Sequence, residues 1–245
     1  MPCSPSALLC MGKAKRRAAV AASCLAIVVG ACMFVMGQGG VEQNLSPTFP
    51  DAVVEPEGEN EERAIDWALL PESVIAWVYI PGTSVDYPVA MDKEDDPGFY
   101  LFRDAYDQYS VWGTPYIANG CKEGLESPLV MIYGHHMSDG SMFAPVASFS
   151  NQTFAEEHDV MLLYTREGTL HLRPALVNVI NANRKQVQLH FEGAVDLAAY
   201  MADEREESEV VMRDVPDGAR VHAFVTRSYE TSNSRTVVYA IEVEQ

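Results

Sequence analysis

The side chains that could do chemistry are few, and most fall in two stretches, YGHHM at 133–137 and FVTRSYETSNSRTVVYA at 224–240. His135 and His136 bring imidazoles, the side chains most often used to give and take protons in catalysis. Arg227 and Arg235 bring guanidiniums, permanent cations that can hold an anion but cannot attack as nucleophiles. The adjacent histidines do not suggest a metal site. Neighbours in a strand point to opposite faces, so alternation turns His136 away from His135, and no other Cys or His pair has ligand spacing. The same alternation points Thr226 and Ser228 away from a cleft that residue 227 faces, although a local bulge could bring Ser228 back. Cys121 sits in the turn-like run Asn119-Gly120-Cys121-Lys122. The other four cysteines, Cys3, Cys10, Cys24 and Cys32, all precede residue 37, so no disulfide within the later domain is expected. No cofactor is implied.

These residues must be positioned by β-structure. Val74–Ile80 reads as a buried strand stopped by Pro81-Gly82, and Val85–Val89 as a second. Further strands are expected at 114–118, 129–133, 160–165, 169–182, 220–226 and 236–243. Many short strands separated by turn signals indicate a closed barrel or sandwich. A short helix is expected around Ala64, Trp67 and Leu70. A longer one is expected over 193–207, with Val195, Leu197, Ala198, Met201 and Ala202 on its apolar side.

The chain has 245 residues and a formal charge of −18, enough length for one medium domain plus extensions. Four of its 17 basic residues (Lys13, Lys15, Arg16 and Arg17) crowd the N-terminus, leaving the remainder more acidic still. Such a surface repels phosphate backbones, so nucleic acid is not an expected partner. Residues 18–36 form an uncharged apolar run directly after the basic cluster. That arrangement predicts a signal anchor across the plasma membrane, N-terminus inside and the domain outside, with a cleaved signal peptide as the alternative. The expected organisation is a cytoplasmic segment at 1–17, a transmembrane helix at 18–36, an acidic flexible linker at 37–62 and a domain at 63–245.

The two stretches above, with WVYIPGTSVDYPV at 77–89 and the helix at 193–207, resemble the class B sortases, membrane-anchored cysteine transpeptidases. The resemblance covers roughly 63–245. It implies a closed β-barrel of about eight strands with peripheral helices. It also implies a site in which His135 protonates a leaving amine and Arg235 steadies the developing oxyanion. The family's nucleophilic cysteine falls on Arg227. By lineage the chain is then a transpeptidase that cuts a C-terminal sorting signal and joins the protein to an envelope amine. The implied partners are sorting-signal-bearing surface proteins or pilins, with peptidoglycan or a pilin amine as acceptor. Arg227 predicts that turnover is lost or severely impaired. The alternatives are a non-catalytic protein that binds sorting signals, or an envelope protein using the barrel as scaffold.

Overall fold

A computed structural model describes residues 51–55, 63–185, 187–191, 193–230 and 232–244. The segments expected at 1–17 and 18–36 lie outside these residues, and among the described residues no helix is long and apolar enough to cross a membrane.

Eight strands close into a barrel. β3 (Val74–Tyr79) and β4 (Asp86–Met91) form an antiparallel hairpin, turning at Gly82 with φ near +77°, a conformation that favours glycine. β4 runs parallel to β5 (Tyr116–Ile117), and β5 pairs antiparallel with β6 (Leu129–Tyr133). β6 lies parallel to β10 (Val221–Arg227), which is antiparallel to β11 (Ser234–Glu242). β11 pairs with the long β8 (Thr169–Asn181), β8 with β7 (Met161–Thr165), and β7 returns to β3. A closed ring leaves no free edge, and most of its buried apolar residues pack in one core cluster. The barrel expected from turn-separated short strands is therefore present, with short β9 (Val210–Val211) added to β8.

Two expectations near the domain start are corrected. Ala64–Ile65 is strand β2, paired with β1 (Val53–Val54), and only Trp67–Leu69 is helical, as a single 3-10 turn. The Asp66 carboxylate accepts the Ala68 N–H at 3.1 Å, which starts that turn after the strand has ended. Ala52 is fully buried with Ile65, Leu70, Val74 and Trp77, so the packed body reaches back into the stretch assigned to the linker. Arg63 fixes this corner by donating to both Asp86 oxygens at 2.8 and 2.6 Å.

Helices α1 (Ala144–Ala147), α2 (Gln152–Glu157) and α3 (Ala194–Glu206) lie around the barrel. The helix expected at 193–207 is α3, but its contact face differs from the one read in the sequence. Val195 is 85% exposed, while Leu197, Met201 and Glu204 are buried. Glu204 continues the Leu197–Met201 stripe at helical spacing because its charge is met there. Its carboxylate pairs with Lys185 Nζ at 2.7 Å and accepts from Asn178 Nδ2 at 2.8 Å. Tyr200 and Tyr239 hydroxyls, 3.0 Å apart, tie the same helix to β11.

Candidate functional site

Three strand ends meet at one corner of the barrel. Val225 of β10 is in register with Tyr133 of β6, and one residue on, the Gly134 N–H donates to the Val225 carbonyl at 3.1 Å. The buried Thr226 hydroxyl donates to the Gly134 carbonyl at 2.9 Å. On the other side of β10, Arg227 stands directly opposite Arg235 of β11. Directly opposed residues share a face of the sheet with Cβ atoms about 5 Å apart. Arg227 is exposed, whereas Thr226 and Ser228 are 2% and 3% exposed; Thr226 nevertheless lines the same cavity as Arg227, so alternation does not turn it away from the site.

This corner opens into a cavity of about 390 Å³, whose lining includes His135, Arg227 and Arg235. The three positions singled out in the sequence, drawn from two distant stretches of chain, thus share one wall. His135 Nε2–H donates to the Leu101 carbonyl at 2.6 Å, and the Phe102 ring lies 5.7 Å from the imidazole. Arg235 Nη1 donates to Asn233 Oδ1 at 3.1 Å and to the Ser234 carbonyl at 3.0 Å, which orients its fork. Burial, and then the charge of Arg227, lower the pKa of Arg235, yet a guanidinium stays charged. No Asp or Glu appears in the cavity lining, and among the described residues neither arginine has a carboxylate within 4.0 Å.

His136 differs from its expected orientation. Both histidines line the cavity, and His136 Nδ1–H donates to the Arg227 carbonyl at 2.8 Å with its ring edge-on to Tyr229. Strand β6 ends at Tyr133, so alternation no longer governs the next residues. Leu101, Phe102, Tyr116 and Tyr133 complete the apolar walls, with Tyr116 and Tyr133 stacked at 5.7 Å. Burial raises the pKa of both phenols, and they stay neutral. Sequence reading missed Leu101 and Phe102, which come from a 3-10 turn with no periodic signal. Its one legible trace is the pair Gly98 and Gly113, both at positive φ.

Cys121 is not available to this site. It is 1% exposed, its thiol donates to the Leu129 carbonyl at 3.4 Å, and its sulfur accepts the Met131 N–H at 3.3 Å. Burial pushes its pKa up, which suppresses the thiolate. Among the described residues no group of three or more His, Cys, Asp or Glu could hold a metal ion.

Gly134 sets the shape of the corner. A Cβ placed there would lie 2.4–2.8 Å from the Phe143 ring, while the Phe143 N–H is held by the His135 carbonyl at 2.7 Å. Gly134→Ala must therefore displace either the buried Phe143 or the His135 backbone. We expect a loss of about 1–3 kcal/mol in urea unfolding. Unchanged stability would show that the corner yields more easily than its packing implies.

No protein-family model matches the chain. It is similar to sortase B of Staphylococcus aureus, 22% identical over 191 residues that cover 76% of this chain and 75% of that protein. Among solved structures, a Bacillus anthracis protein described as similar to sortase B matches with a TM-score of 0.65. That match has 20% identity and covers 79% of this chain and 89% of the other. S. aureus sortase B in complex with substrate matches with a TM-score of 0.63 and 20% identity, over 71% of this chain and 82% of that one. A further matching structure is a sortase B complexed with triglycine.

Proposed function

We propose that this chain, a relative of the class B sortases in sequence and fold, holds a sorting-signal peptide in the cleft of His135 and Arg235 without cutting it. The observation that carries the reading is the cross-strand pair Arg227–Arg235 on the wall of the cavity that also contains His135. Cleavage by the family's route needs a thiolate to attack the scissile carbonyl, followed by transfer of the acyl group to an amine. Arg227 offers no lone pair for that attack at any accessible pH. Thr226 lines the cavity but is 2% exposed with its hydroxyl donated to the Gly134 carbonyl, Ser228 is 3% exposed, and Cys121 is buried. Peptide binding depends on different groups, and those are in place: the Arg235 donors, the apolar walls and an open cavity.

The substrate and triglycine complexes of sortase B support a peptide carrying a sorting signal as ligand, with an amine acceptor belonging to the active lineage. Surface proteins or pilins are the partners this implies, and the apolar run at 18–36 would hold the domain at the outer face of the plasma membrane. Calorimetric titration of the 245-residue chain with a panel of sorting-signal peptides tests the reading. Saturable binding without cleavage is expected, weakened about tenfold or more by Arg235→Ala through loss of charge-assisted hydrogen bonds. Failure of every peptide to bind would overturn it in favour of a scaffold role.

A further inference from the structure

We infer that the ligand end recognised at Arg227 and Arg235 is a free peptide C-terminus, its α-carboxylate held between the two guanidiniums. This rests on the peptide-binding reading and names the form of peptide it takes. Like charges directly opposite across two strands repel, and among the described residues no carboxylate lies within 4.0 Å of either arginine to neutralise the pair. The repulsion is felt within the site, since the charge of Arg227 contributes to the lowered pKa of the half-buried Arg235. An anion between the forks would relieve it and could be bound in bidentate fashion, the geometry that matches guanidinium to carboxylate.

The surroundings select the kind of anion. Leu101, Phe102, Tyr116, Tyr133 and Val225 contribute apolar surface, so the group bearing the charge has a nonpolar body beside it. The −18 chain repels polyanions at longer range, which disfavours phosphate-rich polymers and leaves a short chain with one terminal charge. A volume of about 390 Å³ accommodates the end of a peptide. A peptide that ends at this point presents an acid, whose charge two guanidiniums can hold, whereas one capped there as an amide does not.

The test uses the full chain and a randomised hexapeptide library made in matched free-acid and C-terminal amide forms, with Asp and Glu scanned through internal positions. We expect the free acids to bind about 30-fold more tightly than their amides, the preference shrinking as salt rises. Arg227→Gln and Arg235→Gln should each collapse that preference to about threefold or less. Arg227 is exposed and its removal relieves the repulsion, so Arg227→Gln should not lower the parent's thermal midpoint and separates ligand recognition from folding. Equal affinity for acids and amides would overturn this inference and leave the peptide-binding reading standing. Amides with an internal Asp or Glu that bind as well as the free acids would also overturn it, assigning the cleft to side-chain carboxylates. An acid preference untouched by both substitutions would place the carboxylate elsewhere. Absence of binding by either form would remove the peptide-binding reading itself.

Discussion

Arg227→Cys is expected to convert a silent chain into one that cleaves a cognate sorting-signal peptide and transfers it to an amine such as triglycine. The new thiol would stand at the exposed end of β10, opposite Arg235 and in the cavity that holds His135. A nearby guanidinium stabilises thiolate, so Cys at 227 should titrate below the usual value of about 8.5. The substitution also removes one of two facing cations, which relieves the repulsion at Arg235. Losing the nucleophile of a catalytic unit typically costs about a million-fold in rate, so a variant that supplies one to an otherwise intact site has up to that much to gain. Two measurements check it: the pH profile of iodoacetamide labelling at position 227, and product formation from the peptide panel. In the Arg227→Cys variant, Arg235→Ala should then cost about 10²–10³ in kcat. A reactive thiol at 227 with no turnover would show that divergence extends beyond the nucleophile.

Acid should destabilise the barrel through His222. This residue is 0% exposed on β10, in register with Val130 and Ala240, and neither ring nitrogen has a hydrogen-bond partner among the described residues. Burial, with a smaller contribution from the charge of Arg220, pushes its pKa from 6.5 down to about 3. The unfolded chain therefore binds a proton between those values that the folded chain refuses. Stability is fully present above about pH 6.5 and falls as the pH drops towards about 3, with a limiting slope of about 1.4 kcal/mol per pH unit from this group. The accumulated loss is on the order of 4 kcal/mol, a large share of a typical domain's margin. Urea unfolding of the parent and of His222→Leu at pH 7, 6, 5 and 4 isolates the contribution. The gap between them should move steadily in the variant's favour as the pH falls. A gap independent of pH would show that water or a conformational change satisfies the protonated ring.

The barrel was legible because its strands are short, β-rich and bounded by turn residues. Leu129–Tyr133 is read with the bounds it has, and β8 differs by one residue from the expected 169–182. Legibility failed where tertiary contacts override local pattern. Ala64 looks helical beside Trp67 and Leu70, but β1 captures it as a strand. Val195 looks like a contact residue, yet the buried Asn178 and the half-buried Lys185 draw Glu204 into that role. At the site, His135, Arg227 and Arg235 stand out only when set beside the sortase pattern, since each alone resembles an ordinary strand-end residue. Leu101 and Phe102 reach the cavity from a connection whose turns depend on Gly98 and Gly113, and no periodicity marks them. His136 shows the limit of alternation, which stops where the strand stops.

The central claim is that the cleft binds a peptide it does not cut. Its most direct measurement is mass spectrometry of the peptide panel after prolonged incubation with the parent chain, with binding recorded on the same samples. The account predicts bound, intact peptide at every time point. Cleavage by the parent that disappears in His135→Ala would contradict it, and would mean that the site finds a nucleophile other than residue 227.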